Sequence, residues 1–101
     1  MSEPLKPFPE AWKPLETEIR AYYRALPQLL ADGEAGRYVV IKGDTVYDTW
    51  DTFRDARQYG YEKFDDGQFM TQPVDPKMLG VLEQFFGPAP VAAPAPEEQV
   101  A

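Results

Sequence analysis

The stretch that most constrains the fold lies between residues 36 and 72. Two runs of strand-forming residues, 37–42 and 45–50, are separated only by Gly43-Asp44. A Gly-X pair between two such runs is typical of a two-residue β-hairpin turn. The sequence therefore predicts an antiparallel hairpin near the middle of the chain.

The same stretch predicts how the two strands pair. The residues beside the turn set the register, and the predicted pairs are Lys42–Thr45, Ile41–Val46, Val40–Tyr47 and Tyr38–Thr49. Apolar side chains then occur on both faces of the first strand, with Tyr38 and Val40 on one and Val39 and Ile41 on the other. Two interpretations stay open: the strand is covered on both sides, or one face awaits a partner.

A capped helix should follow the hairpin. Thr52, with Asp55 three residues later, forms a capping-box-like signature. The helix would present one apolar face, formed by Phe53, Ala56, Tyr59, Gly60 and Phe64. Gly60 lowers helix stability by ~1 kcal/mol relative to alanine, and a close packing contact would explain its presence. A third short strand is predicted over residues 69–72.

The N-terminal part of the chain predicts a helix that begins at Pro14, where a missing N–H costs nothing. Its apolar stripe recurs at helical spacing and consists of Leu15, Ile19, Tyr22, Leu26 and Leu29. Pro27 should kink or break this helix, because proline removes a hydrogen-bond donor. A last helical turn would then end at Asp32-Gly33. We interpret the stripe as part of the core.

Near the other end, Asp75-Pro76 and Gly87-Pro88 are start and stop signals for a helix. Between them lies an amphipathic pattern at helical spacing, formed by Met78, Val81, Leu82 and Phe85. Two interpretations of this helix stay open. It packs on its own domain as core, or it is a docking segment for a partner.

These elements predict one small α+β domain, with an N-terminal kinked helix, a three-stranded, mostly antiparallel ββαβ sheet and a short C-terminal helix. The predicted boundaries are an extended arm over residues 1–12, the domain over residues 13–87 and a disordered Pro/Ala-rich tail over residues 88–101. The arm is either a frayed terminus or an extended segment whose aromatic side chains lie across a surface.

Composition excludes several kinds of chemistry. The chain has no cysteine and no histidine, which removes thiolate nucleophiles, disulfides and the commonest transition-metal ligand, so no cofactor is predicted. The net charge of −7 argues against nucleic acid and an anionic membrane surface, since both favour basic partners. No apolar run approaches the ~18 residues that span a bilayer, and no secretory h-region is found. A cytoplasmic location is expected.

The central motif also resembles a pattern in small uncharacterised bacterial proteins, of the kind grouped as domains of unknown function. The residues that carry this resemblance are Arg37 to Asp44, Val46, Asp51-Thr52, Asp55-Ala56, Gly60-Tyr61 and Phe64. The resemblance implies a core of hairpin, helix and strand. It implies no activity.

The aromatic content points to a role in protein recognition. The chain has two Trp, six Tyr and six Phe, which a core of this size cannot bury completely, and Tyr and Trp are enriched at interaction hot spots. We therefore predict a non-enzymatic protein-interaction or regulatory module that binds another protein or itself, through a sheet edge, the C-terminal helix or the arm. The predicted contact residues, as apolar groups at a solvent boundary, are Tyr38, Tyr47, Trp50, Met78, Leu82, Phe85 and Phe86.

The alternative is a small carboxylate-based enzyme or a divalent-metal-binding protein that uses Asp44, Asp48 and Asp51. Paired carboxylates can act as general acid and base where burial separates their pKa values, and clustered oxygens suit hard cations. Each carboxylate also has a structural explanation: Asp44 belongs to a turn, Asp51 serves a helix N-terminus and Asp48 is solvated. No catalytic residue is therefore assigned.

Overall fold

The computed structural model describes residues 5–89, so the predictions for residues 1–4 and for most of the tail, 90–101, lie outside the described part. The elements are a 3-10 helix Glu10–Leu15, α1 Glu16–Ala31, β1 Tyr38–Lys42, β2 Thr45–Trp50, α2 Phe53–Lys63, β3 Met70–Pro73 and α3 Lys77–Phe86. The predicted α+β fold with a three-stranded sheet is confirmed. No helix within residues 5–89 is long and apolar enough to span a membrane.

β1 is the central strand of the sheet. The strand order is β2-β1-β3, and β1 is antiparallel to both neighbours. Val39 and Ile41 pack in the core under α1 and α3, whereas Val40 packs in the core under α2. β1 is therefore covered on both sides, which confirms the first of the two interpretations of its apolar faces.

A β-bulge changes part of the predicted hairpin register. Beside the turn, Lys42 and Ile41 have the predicted partners. Farther along, Tyr38 pairs with Trp50 and not with Thr49, so the prediction for this pair is wrong by one residue. Two residues of β2 lie opposite one residue of β1 at the bulge. Counting outward from the turn cannot detect such an extra residue.

Two apolar cores lie on the two faces of the sheet. The larger core, beneath α1 and α3, includes Tyr22, Leu26, Val39, Ile41, Met70 and Leu82. The smaller core, beneath α2, consists of Val40, Ala56, Phe64 and Phe69. Because each face has its own helical cover, the surfaces left for a partner are the outer faces of the helices and the sheet edges.

α1 is one uninterrupted helix through Pro27. The predicted break at this proline does not occur, while the predicted end at Asp32-Gly33 is confirmed: the Asp32 N–H donates to the Gln28 C=O, 2.9 Å away, and Gly33 has a φ of 81°. The predicted start at Pro14 is wrong: Pro14 lies inside the 3-10 helix, and α1 begins at Glu16.

The other helix boundaries follow the capping signals. The Thr52 side chain accepts a hydrogen bond of 3.1 Å from the Asp55 N–H at the start of α2. Asp75 Oδ1 accepts a bond of 2.9 Å from the N–H two residues later, at the start of α3. α3 ends at Gly87, whose φ of 82° suits glycine. These local signals are sufficient to place both helices.

Gly60 marks the closest approach between α2 and the segment that leads into β3. A Cβ built on Gly60 would overlap the ring of Phe69. Phe69 is buried, with Phe64 and Tyr61 packed against its ring. A close packing contact that explains Gly60 is therefore present, and it holds one flank of α2 against the β3 side of the sheet.

Candidate partner-binding site

The seven predicted contact residues do not form one surface. Tyr38, Tyr47 and Trp50 lie on the α2 side of the sheet. The other four are on α3, on the opposite side of the sheet. Two separate surfaces must therefore be considered.

On the α2 side, Tyr47 and Trp50 mainly pack against the helix. The Trp50 ring lies 4.4 Å from the Tyr59 ring, centre to centre, and the Tyr47 ring lies 5.2 Å from that of Phe64. Lys63 Nζ covers Tyr47 at 5.6 Å from the ring centre. Both residues are half-buried. They support α2 and leave only part of their rings to a partner.

On the α3 side, Leu82 is only 1% exposed. The prediction that Leu82 lies at a solvent boundary is wrong, because α3 packs on α1 and Leu82 points into the larger core. The core interpretation of this helix is the one that its packing supports. Phe85 and Phe86 are half-buried, and the ring of Phe8 lies 6.0 Å and 5.4 Å from theirs. The described part of the arm therefore lies across α3.

A small cleft opens beside the arm, between the 3-10 helix, α1, β3 and α3. Its volume is about 220 Å³, and its lining is mostly apolar: Trp12, Leu15, Ile19, Tyr22, Met70, Gln72, Met78 and Leu82. This volume is below the ~300 Å³ at which small-molecule sites begin. The cleft suits a single apolar side chain, and two of the predicted contact residues, Met78 and Leu82, line it.

The most exposed aromatic surface in residues 5–89 is on α2 and was not predicted. We call it the α2 stripe, and it consists of Phe53, Arg57 and Tyr61. Phe53 is 50% exposed and Tyr61 is 60% exposed. The expectation that Phe53 belongs to the buried face of α2 is therefore wrong. The spacing of four residues between stripe members is the signal that could have identified it.

The α2 stripe is ordered by its own contacts. Arg57 Nη2 donates a hydrogen bond of 2.6 Å to the Tyr61 hydroxyl. The Arg57 guanidinium also lies 4.5 Å from the centre of the Phe69 ring. Phe53 packs edge-on against Tyr38 at 5.8 Å between ring centres, so one predicted contact residue borders the stripe. The side chains are held in place before any partner arrives.

The charge of α2 differs from that of the rest of the chain. α2 carries three cationic side chains, Arg54, Arg57 and Lys63, against two anionic ones, in a chain whose net charge is −7. Within residues 5–89, no ion pair joins Arg54 or Arg57 to a carboxylate, whereas Arg20 and Arg37 are each paired. The stripe is a locally basic and aromatic surface.

The sheet edges are partly closed to an added strand. On β3, Pro73 has no N–H, and its C=O accepts a 2.6 Å hydrogen bond from the Tyr22 hydroxyl. On β2, the Thr49 N–H donates to Asp48 Oδ1 at 2.8 Å, and its C=O accepts from Arg37 Nη2 at 3.1 Å. An added strand would need free N–H and C=O groups along the edge, and these groups already have partners. The edges are therefore weaker candidates than the helix surfaces.

The three carboxylates of the enzyme or metal alternative have separate surroundings. Asp44 is exposed in the hairpin turn, and Asp48 bonds to the backbone beside it. Asp51 is 82% exposed at the side chain and lies 3.4 Å from Arg37. Within residues 5–89, no group of three or more acidic, His or Cys side chains is placed to hold a metal ion.

Among the carboxyls of residues 5–89, the one with a shifted pKa is that of Asp66, away from these three aspartates. Hydrogen bonds from the Gln68 N–H and from the Lys42 ammonium hold the pKa of Asp66 below its ordinary value. Asp66 ties the loop before β3 to β1, since Lys42 Nζ also donates to the Gln68 C=O at 2.7 Å. The shift therefore has a structural cause.

Comparison of the chain with protein-family models, with curated proteins and with solved structures finds no match. The resemblance to small uncharacterised bacterial proteins stays a prediction.

Proposed function

We propose that this chain is a non-enzymatic protein-interaction module, with the α2 stripe as its contact surface. The proposed partner segment carries an aspartate or glutamate next to an aliphatic or aromatic side chain. The observation that carries the proposal is the exposure of Phe53 and Tyr61 on either side of Arg57, which has no carboxylate partner within residues 5–89. We also propose that the protein acts in the cytoplasm.

The chemistry of the stripe supports a protein partner. Tyrosine and arginine are enriched among the residues that dominate interface energies, where they combine apolar area with directional hydrogen bonds. The Arg57 side chain is already held by Tyr61 and Phe69. Binding therefore costs less side-chain entropy than it would for a free arginine.

The charge of the stripe supports an acidic segment. A partner carboxylate can accept hydrogen bonds from Arg57 and Arg54, the two cations that line the shallow outer surface of α2 against one anion, Glu62. The rest of this acidic chain repels such a segment, so attraction is concentrated at α2. Because these charges are exposed, the affinity should fall as salt is added. No observation within residues 5–89 favours the carboxylate alternative, and it is not proposed.

A peptide-display selection on the immobilised full chain tests the proposal. The enriched peptides should place an Asp or Glu within one or two residues of an apolar side chain. Arg57→Glu and Tyr61→Ala should each weaken the binding of these peptides by about tenfold or more. Arg24→Glu is the matched control, because it makes the same charge change at an exposed site on α1.

Two results would contradict the proposal. One is enrichment of peptides without acidic residues. The other is an equal loss of affinity in Arg24→Glu, which would show that only the net charge of the chain matters.

A further inference from the structure

The C-terminal end of α3 presents two adjacent rings that we call the α3 platform, Phe85 and Phe86. The Arg20 guanidinium lies 4.6 Å from the centre of the Phe86 ring, and the Tyr23 ring lies 5.6 Å from it. The Tyr23 hydroxyl also donates a 2.6 Å hydrogen bond to the C=O of Gly87. Phe86 is therefore held from α1, whereas Phe85 packs against the larger core and makes its ring contacts with the arm.

The arm, described from residue 5 to residue 12, lies on this platform as an extended peptide that ends in a 3-10 turn. The ring of Phe8 is in contact with both platform rings, and Trp12 meets Phe85 edge-on at 5.8 Å between ring centres. The Lys6 N–H donates a 2.7 Å hydrogen bond to the C=O of Gln84. One backbone bond and an aromatic anchor are the usual elements of peptide recognition.

The attachment of the arm is local. Within residues 5–89, no ion pair joins the arm to α3, and the Lys13–Glu10 pair is internal to the 3-10 helix. Leu5 is 56% exposed. Pro7 and Pro9 restrict the backbone around Phe8 to extended conformations, which lowers the entropy lost when such a segment is ordered.

From these contacts we propose that the α3 platform is a binding site for extended peptides with an aromatic residue between two prolines. The chain's own arm occupies the site as an intramolecular ligand, and a partner peptide binds by displacing it. The partner's chemistry is taken from the segment that already occupies the site. The α3 platform is separate from the α2 stripe, and this proposal does not depend on the one made for the stripe.

Self-occupancy has a calculable effect on affinity. The arm joins α1 directly through the 3-10 helix Glu10–Leu15, and we take for it the effective concentration of a ligand on a short flexible linker, ~1 mM. For a free peptide with a dissociation constant of ~0.1 mM at the open platform, competition from the arm weakens apparent binding by about tenfold. Removing the anchor ring of the arm should restore the lost affinity.

The probe is a capped peptide with the sequence of residues 5–12, LKPFPEAW, titrated into the isotope-labelled full chain. Binding is followed through the backbone amides of Phe85, Phe86 and Gly87. The Phe8→Ala variant should bind the probe about tenfold more tightly than the unmodified chain. Val81→Ala is the control, since it removes an exposed apolar side chain that belongs to neither proposed surface and should bind like the unmodified chain.

Two further changes locate the site. In the Phe8→Ala background, Phe85→Ala should abolish the amide shifts at the end of α3, and a probe carrying Phe8→Ala should not bind. The amide spectrum of each variant reports whether it is folded. If Phe8→Ala unfolds the chain, Phe8→Leu retains apolar volume while removing the ring contacts and serves in its place.

The proposal is overturned if no folded arm variant shows shifts at the α3 platform with millimolar probe. Equal affinity for the unmodified chain and the arm variant also overturns it, because the arm would then not compete for the site. Neither result would affect the peptide selection on the α2 stripe, so the two proposals are tested separately.

Discussion

Gly60→Ala tests whether the close approach of α2 to Phe69 is a packing requirement. In a helix interior, replacing glycine with alanine stabilises by ~1 kcal/mol. At Gly60, however, the new Cβ would overlap the Phe69 ring. The ring cannot easily move, because Phe64 packs against it and the Arg57 guanidinium lies 4.5 Å from its centre. Overpacking typically costs ~1–3 kcal/mol, so we expect a net loss of up to ~2 kcal/mol.

Gly80→Ala in α3 is the matched control. Gly80 is also inside a helix, but a Cβ built there has no neighbouring atom within 4 Å. This variant should therefore gain up to ~1 kcal/mol of unfolding free energy. The difference between the two variants isolates the packing contribution, which we expect to be ~1–3 kcal/mol.

Urea unfolding followed by far-UV circular dichroism measures both values, and unchanged slopes would show that the denatured states are comparable. Each kcal/mol should shift the melting temperature by ~4–8 °C in a domain of this size. In the Phe69→Leu background, the penalty of Gly60→Ala should shrink by at least ~0.5 kcal/mol, because the clashing ring is absent. If Gly60→Ala stabilises the chain as much as Gly80→Ala, the packing explanation is refuted.

Three further changes test the core, a helix cap and a buried hydroxyl. Leu82→Ala should cost ~2–5 kcal/mol in denaturant unfolding, since Leu82 lies in the larger core; an unchanged midpoint would instead favour a docking role for α3. Thr52→Ala should cost ~1 kcal/mol, because the side chain caps α2, and Thr52→Ser should retain most of that stability. Burial, with the Asp75 carboxylate adding to it, raises the pKa of the Tyr22 hydroxyl. The hydroxyl therefore makes its full contribution to the unfolding free energy below pH ~10, and this contribution declines as the pH rises further. Tyr22→Phe should lose ~1 kcal/mol at neutral pH and reduce the alkaline decline, measured as unfolding free energy between pH 8 and 11; an unaltered decline would assign it to other groups.

The α2 stripe shows that a helical sequence pattern does not predict which side chains of the helix are exposed. Helical spacing places Phe53 near Ala56 and Gly60 on one side of α2, but it does not show how wide a face the sheet can cover. In the structure the covered face centres on the two small residues, so Phe53 and Tyr61 remain outside it. The α2 stripe was missed because exposure depends on the neighbouring surface.

The arm illustrates the same limit at the N-terminus. Its prolines indicate an extended segment, and its aromatic residues indicate affinity for an apolar surface. Neither property identifies α3, about 75 residues away in the chain, as that surface. The contact between Phe8 and the α3 platform exists because α3 packs beside α1 and the arm leads directly into α1.

By itself, the sequence determined the features that act over a few residues. These are the turn at Gly43-Asp44, the caps at Thr52 and Asp75, the stop at Gly87 and the two-sided apolar pattern of β1. Local sterics and short-range hydrogen bonds set such features, and residue type is enough to predict them.

Only the tertiary structure decided the rest: the central place of β1, the bulge in β2, the contact of Gly60 with Phe69, and the docking of the arm. Each of these depends on which surfaces meet after the chain has folded. Complementary packing between distant segments is a property of the whole assembly of helices and strands, and no local pattern encodes it.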